Sequence, residues 1–454
     1  DLDAHHALAR RAAAASAVLL TNDGVLPLDP AAGGPVAVLG ALARAPRYQG
    51  AGSSHIVPTR LDDPVEELCA ALPGRELRVA DGYRLDGAPD PALVADAVAA
   101  ARDATSVVLF LGLPDAEESE GFDREHLDLP AVQLDLLRAV SDVHDRVVVV
   151  LGNGGVVLTR PVEELASAVL ETWLGGQAVG GAVADLLTGA AEPGGRLAET
   201  VPLALADTPA YVNFPGTPAE VLYGERIYVG YRWYDRVGRE VAHPFGHGLG
   251  YTTWAYDDLE VAVPDPTVAA AAVRFRLTNT GERPGSEVAQ VYLADPVASV
   301  DRPVRELVGF RKVTLEPGAS TVVEVELDER AFAFWDAERH AWRVEPGELV
   351  VAVGASSADL RLTAAFDLDV PADLGPLTVD SPMGDWLARP AATAALMEAF
   401  AAATGGEAEM PELDADLLRM VESMPLRQVL GMAGVQLDEE GERALVARAE
   451  EQPT

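Results

Sequence analysis

One cysteine, one lysine and no long apolar run mark what this 454-residue chain does without. The single cysteine, Cys69, excludes an intrachain disulfide framework and a cysteine-rich metal site, and leaves the redox compartment open. Lying beside Leu68 and near Leu72, it reads as a buried helix residue. Positive charge is scarce. Lys and Arg total 34 against 72 Asp and Glu, Lys312 is the only lysine, and the formal net charge is −38 with a pI near 4.4. So acidic a chain repels phosphate backbones and anionic lipid, which argues against nucleic acid and against a membrane as partners. No segment has the roughly 20 consecutive apolar residues of a spanning helix, and the amino terminus shows no basic region followed by an apolar core. The expectation is a soluble chain without a targeting address, its compartment open and the cytoplasm preferred.

What is present is ordered. The length suggests about three compact units at roughly 150 residues each. An alanine-rich helix is expected from Ala4 to Leu20, ending at the turn Thr21-Asn22-Asp23-Gly24. Short apolar runs then alternate with helical stretches. The runs are Pro35 to Gly40, Leu77 to Ala80, Ser106 to Gly112, Arg146 to Gly152 and Ala168 to Trp173; the helices include Pro91 to Ala101, Ala131 to Val140 and Gln177 to Leu187. Runs apolar on both faces imply a mostly parallel sheet covered on both sides, an α/β domain over residues 1–205. Residues 206–254, rich in Pro, Gly and aromatics, read as a linker wrapped on its neighbours. Residues 255–370 change to period two, with strands expected at Ala271 to Thr278, Glu287 to Leu293, Leu307 to Leu315, Thr321 to Leu327, Glu348 to Gly354 and Leu360 to Phe366, an all-β sandwich. Residues 371–454 return to helix, with candidates Trp386 to Ala403, Leu413 to Met424 and Glu439 to Ala449, read either as small helices docked on the body or as a partly disordered tail.

The chemistry concentrates after the run Ser106 to Gly112, where Glu117, Glu118, Glu120 and Asp123 surround Gly121. A loop leaving the carboxyl end of a buried strand is where open α/β sheets bind ligands, and a carboxyl group there can donate a proton. Glu120 is the candidate acid; a solvated acidic loop is the plainer reading. The loop Gln49-Gly50-Ala51-Gly52-Ser53-Ser54 also follows a strand, and its glycines permit close backbone approach while the Ser53 hydroxyl can bond a ligand hydroxyl. It lacks the GK[ST] ending of a phosphate cradle. His243 and His247 are four apart, but Pro244, Gly246 and Gly248 forbid the helix that would place them together, so they orient the linker and no metal is expected.

Motifs in a fixed order tie these pieces together: SAVLLTNDGVLPL to Leu28, QGAGSS from Gln49, ESEGFDR from Glu118, PGGRLAETVP from Pro193, YGERIYVGYRWYD from Tyr223, HPFGHGLGYTTW from His243, TNTGERPGSEVAQVYL from Thr278 and RPVRELVGFRKVTLEPG from Arg302. The chain resembles the carboxyl-terminal part of glycoside hydrolase family three, the β-glucosidase and β-xylosidase group, over essentially its whole length. The resemblance implies an α/β sandwich bearing the acid/base glutamate, followed by a fibronectin type III-like domain and here a short helical tail. It also implies a (β/α)₈ barrel carrying the aspartate nucleophile, and this sequence is expected to begin at about the linker leaving that barrel.

Carried over by motif, the acid/base is Glu120 in Ser119-Glu120-Gly121-Phe122, with Glu118 its rival should the loop register shift, and Ser53 lies on a substrate-binding loop. Glu117, Glu118 and Asp123 are expected to help keep Glu120 protonated. Ala51 replaces a family glycine, as does Arg226 in the Y-x-E-G motif, so Glu225 is given a structural role only. Asp385-Trp386 superficially resembles the nucleophile motif but lies in the tail with no barrel strand before it, and reads as a helix start. No cofactor is implied. The expected partners are a β-glycoside and a barrel domain or chain, with homo-oligomerisation open. The competing reading is a non-catalytic module that binds carbohydrate or a protein.

Overall fold

A computed structural model describes residues 1–337, 339–371, 375–404 and 421–450, without the side chains of Ser54, Ala403 and Thr404. Two compact units result, Asp1–Val370 and Pro371–Thr454.

The first unit opens with helix α1 (Leu2–Ser16), whose first amides are capped by the Asp1 carboxylate. The helix stops short of the expected Leu20. Val18–Asn22 is instead strand β1, because a buried Val-Leu-Leu run gains more from pairing antiparallel with β6 (Ala168–Glu171) than from another helical turn. The remaining sheet strands fall where the apolar runs predict: β2 (Val36–Leu39), β3 (Leu77–Ala80), β4 (Ser106–Gly112) and β5 (Val147–Gly152). Helices α2 (Pro64–Ala71), α3 (Pro91–Arg102), α4 (Ala131–Ser141), α5 (Arg160–Glu163) and α6 (Val179–Thr188) connect them. Cys69 is in α2 but exposed, a correction to its expected burial; Leu68 and Leu72 take the inward positions.

The sheet order is β1-β6-β5-β4-β2-β3, parallel except at β1. Strands β2, β4 and β6 are buried at every residue, and β5 at all but its last, as a sheet covered on both faces requires. From β2 the chain first adds β3 on one side, then crosses to β4, β5 and β6 on the other. The direction of winding therefore reverses between β2 and β4, the position beyond which open α/β sheets bind ligands. Two contacts fix the end of β4. Gln133 of α4 clasps Gly112 through both of its main-chain groups, at 2.9 and 2.8 Å, and a Cβ on Gly112 would overlap the Gly152 carbonyl oxygen.

The aromatic segment is pinned on both sides. Short helix α7 (Tyr231–Val237) stacks Tyr231 on Phe245 at 4.8 Å, and the Tyr231 hydroxyl accepts from the Leu307 amide, while the Tyr251 hydroxyl donates to the Leu186 carbonyl at 2.8 Å. Arg226, where a glycine was expected, has φ 53°, the left-handed conformation that favours glycine. Strand β7 (Trp254–Ala262), beginning at the expected linker's last residue, escaped prediction because a bulge between Asp257 and Glu260 breaks its alternation. It joins β8 (Ala271–Asn279) and β11 (Ser320–Leu327) in one sheet of the sandwich; β9 (Gly285–Ala294), β10 (Glu306–Leu315), β14 (Gly347–Gly354) and β15 (Leu360–Leu368) form the other. Helix α8 (Glu329–Phe332) and a hairpin of β12 (Phe334–Asp336) and β13 (Ala341–Arg343) lie between β11 and β14 in the chain. Alternate residues Val273, Phe275 and Leu277 of β8, with Val325 of the neighbouring β11, pack in the sandwich core with Val291, Val351 and Val353 of the other sheet. The Arg196–Glu287 pair, buried at 2.6 Å, bonds the α/β layer to the sandwich.

The second unit holds helices Met383–Leu387, Pro390–Thr404, Leu426–Met432 and Glu439–Ala449 around Trp386, Leu396, Leu430 and Leu445. Pro390 divides the expected helix Trp386 to Ala403, and most of the candidate Leu413 to Met424 lies outside the described residues. Asp385 stands in the first turn of the five-residue helix, before the fully buried Trp386. Among the described residues no helix is long and apolar enough to cross a membrane.

The closeness of Gly112 to β5 gives a stability test. Gly112→Ala is expected to lower the free energy of unfolding by at least roughly 1–3 kcal/mol, the usual cost of overpacking, read as a fall in the urea midpoint. Gly33→Ala, in open space, should leave the midpoint within error.

Candidate active site

At the point where the winding reverses, the loop after β2 meets the loop after β4. Ser53 and Glu120, 67 residues apart in the chain, are joined there: the Ser53 amide donates to Glu120 Oε2 at 3.0 Å and the Ser53 hydroxyl donates to the same oxygen. Both residues are exposed. Gly52 makes this contact feasible. Its φ is +79°, and a Cβ would stand 3.1 Å from Glu120 Oε2 and 3.2 Å from Glu120 Cβ.

The rest of the acidic loop is anchored by its other charges. The Glu118 carboxylate accepts the Gly154 and Gly155 amides, each at 2.7 Å, and so ties the loop to the turn after β5. Arg47, almost fully buried, pairs with Asp115 and donates Nη2 to the Glu118 carbonyl at 2.9 Å. Arg124 donates to the Val156 carbonyl at 2.9 Å. Sequence reasoning did not single out these anchors. The turn signal Asn153-Gly154-Gly155, directly after an apolar strand, was available to mark a second loop at the same end of the sheet. Arg47 and Gln133 carry no such local signal.

The electrostatics differ from expectation. The Ser53 hydroxyl first, and then its amide, hold the Glu120 carboxyl below the ordinary carboxylate range. The expected help from Glu117, Glu118 and Asp123 in keeping Glu120 protonated does not prevail, since Glu118 is committed to backbone amides and the Ser53 donors favour the anion. A raised carboxyl occurs elsewhere. Glu171, at the end of β6, is pushed up to about 8 by burial, against the Trp173 amide at 2.8 Å and Asn153 Nδ2 at 3.0 Å, which both favour its anion. A raised pKa is a common mark of a general acid, but Glu171 is 3% exposed and cannot reach a substrate. It is an internal strut of the same loop cluster. His243 and His247 stack at 4.6 Å; His243 meets Glu163 at 2.5 Å and His247 meets the Leu20 carbonyl at 2.9 Å. No group of three His, Cys, Asp or Glu side chains able to hold a metal ion occurs among the described residues.

The glycosyl hydrolase family 3 C-terminal domain model matches residues 17–251, more than half of the chain, and a fibronectin type III-like domain model matches residues 287–357. The chain belongs to glycosyl hydrolase family 3. Among its relatives in the family, the exo-α-(1→6)-L-arabinopyranosidase of Bifidobacterium breve is 43% identical, with 96% of this chain and 58% of the relative covered. The thermostable β-glucosidase B of Acetivibrio thermocellus is 42% identical, with 97% and 59% covered. A crystal structure of the GH3 β-glucosidase of Bifidobacterium adolescentis superposes with a TM-score of 0.83 at 44% identity, covering 87% of this chain and 58% of that one. The chain thus spans somewhat over half the length of these family 3 proteins.

Two pH effects follow. A carbon-detected NMR titration should place Glu120 below an ordinary glutamate, and Ser53→Ala should move it back up. Because the folded value is depressed, the Ser53–Glu120 contact contributes above the ordinary carboxylate range and is lost as pH falls through the depressed value. Glu171 acts in the opposite sense. Between 4.5 and about 8 the folded state keeps a proton that the unfolded chain has released. Stability should therefore fall by on the order of a few kcal/mol as pH rises across that interval, and Glu171→Gln should flatten the dependence of the denaturation midpoint.

Proposed function

We propose that these residues form the acid/base half of a retaining exo-β-glycosidase active site acting on terminal, non-reducing β-linked sugars, with the nucleophile supplied by a (β/α)₈ barrel. The observation that carries the proposal is Glu120, an exposed carboxylate at the switch point of the sheet, matching by motif the acid/base of the family and bonded to Ser53 on the facing loop. Glu118 is a poorer acid because two amides and Arg47 already occupy it. The names of the relatives, a β-glucosidase and an arabinopyranosidase at nearly equal identity, support a glycosidase and leave the sugar open.

The chemistry needs two carboxyl groups about 5–5.5 Å apart. The barrel aspartate attacks the anomeric carbon while Glu120 gives its proton to the departing oxygen. A glycosyl-enzyme forms, and Glu120, now a carboxylate, takes a proton from the water that releases the sugar. Glu120 must begin protonated, although Ser53 favours its anion. Bringing the nucleophile carboxylate close and excluding water both oppose that anion, so docking of the barrel raises the Glu120 pKa toward its working range. Phe122, half exposed beside Glu120, and the exposed Ile56 and Val57 after Ser53 supply apolar surface for the docking. Ser53 then exchanges its bond to Glu120 for one to a sugar hydroxyl.

These 454 residues by themselves are expected to leave an aryl β-glucoside unhydrolysed, for want of the nucleophile. In the assembly with the barrel, Glu120→Gln should slow alkyl glucosides about 10²–10⁴-fold, and a nitrophenyl glucoside much less in the glycosylation step. Azide should restore part of the nitrophenyl turnover by replacing the water that Glu120 activates. Glu118→Gln should show neither the leaving-group dependence nor the rescue. The reverse pattern would move the acid two residues upstream.

A further inference from the structure

The fibronectin type III-like part carries a cleft of about 1060 Å³, formed where the aromatic segment meets the loop leading into β10, the start of β10, the end of β11, α8 and the β12–β13 hairpin. None of its lining residues belongs to the Ser53 or Glu120 loops. Trp335 and Trp342 line it, 47% and 49% exposed, opposite one another in the hairpin register with ring centroids 5.2 Å apart at 62°. The Arg330 guanidinium lies 3.1 Å over the Trp342 ring and holds its plane. The polar wall is fixed as well. Arg302, largely buried, bonds Asp295 and Glu306 at 3.2 Å and the Phe332 carbonyl at 3.0 Å, and Glu306 also pairs with Arg232 at 3.0 Å. The carboxylates of Glu326 and Asp328 line the cleft from exposed positions.

A cross-strand tryptophan pair stabilises a hairpin without any ligand. That role does not require a cleft of this size, nor carboxylates and guanidinium groups fixed around the rings. The volume is at the upper end of the roughly 300–1,000 Å³ of small-molecule sites, which suits several linked rings better than one. The lining combines the exposed Trp335 ring with charged, hydrogen-bonding side chains. A pyranose matches that combination, with a C–H face for the indole and a rim of hydroxyls for the charged groups. An anionic polymer is opposed by the net charge of −38. We propose that this cleft is a non-catalytic binding site for a neutral oligosaccharide, seated on Trp335 with Trp342 and the Arg330 stacked on it as the adjoining wall. It goes beyond the acid/base role of Glu120 and does not depend on it.

The test is a tryptophan-fluorescence titration of the 454-residue chain with cellotetraose and xylotetraose, and with a sulfated glycan for comparison. Saturable quenching by a neutral oligosaccharide and none by the sulfated one is expected. Trp335→Ala should weaken binding about tenfold, on the scale of one lost aromatic contact, while Trp335→Phe retains most of it. Glu120→Gln should bind like the parent, which separates this site from the proposed active site. Oxidation by N-bromosuccinimide, read by peptide mass spectrometry on the unmutated chain, provides a measurement independent of variant folding: bound oligosaccharide should protect Trp335 and Trp342. Absence of both quenching and protection, a lower midpoint in Trp335→Ala with unchanged affinity, or loss of binding in Glu120→Gln would each overturn the proposal.

Discussion

Parallel pairing of β2 with β4 is the constraint on which the candidate site depends. The two strands are neighbours in the sheet while the chain winds away from them in opposite directions, the arrangement beyond whose carboxyl ends open α/β sheets bind ligands. The loops that leave them are free to face each other. Gly112 sets how closely β4 approaches β5, and Gln133 holds its last main-chain groups, so the acidic loop starts from a fixed point. Everything proposed for Glu120 rests on that rigidity, because proton transfer tolerates little error in position.

Charge in the loop is divided between anchoring and the chemistry proposed for Glu120. Glu118 and Asp115 face Arg47 and the Gly154-Gly155 amides, where buried or constrained donors hold them. Glu120 stays at the surface, with Ser53 as its bonded neighbour. Glu171 sits deepest and is the most strongly neutralised. Three glutamates at one end of a sheet thus have three environments, and the carboxyl with the most raised pKa is the one least able to meet a substrate. For the proposed acid, access favours Glu120 over Glu171, and bonding favours it over Glu118.

Most of the architecture was legible in the residues. Buried strands β2, β4, β5 and β6 announced themselves as unbroken apolar runs, and β8, β9, β11 and β14 as alternation between turn signals. Errors fell where tertiary contact overrode a local pattern. Val18–Asn22 left the first helix to become an edge strand, β7 was hidden by its bulge, and Cys69 faces solvent although leucines flank it. Arg226 marks the converse case: its φ of 53° keeps a backbone shape suited to glycine without the glycine.

For the site, the amino-acid order alone determined that a carboxylate-rich loop follows one buried strand, that a glycine-rich loop with Ser53 follows another, and that both match family motifs. These are local properties, carried by residue type and spacing. Which carboxylate anchors and which stays exposed, that Ser53 reaches Glu120, and that burial raises the Glu171 pKa were decided only by the fold. Hydrogen bonding and desolvation depend on groups brought together from 36, 67 or 18 residues away, as for Glu118 with Gly154, Ser53 with Glu120, and Asn153 with Glu171. Those distances in space are set by strand order, and strand order is not written in any single segment.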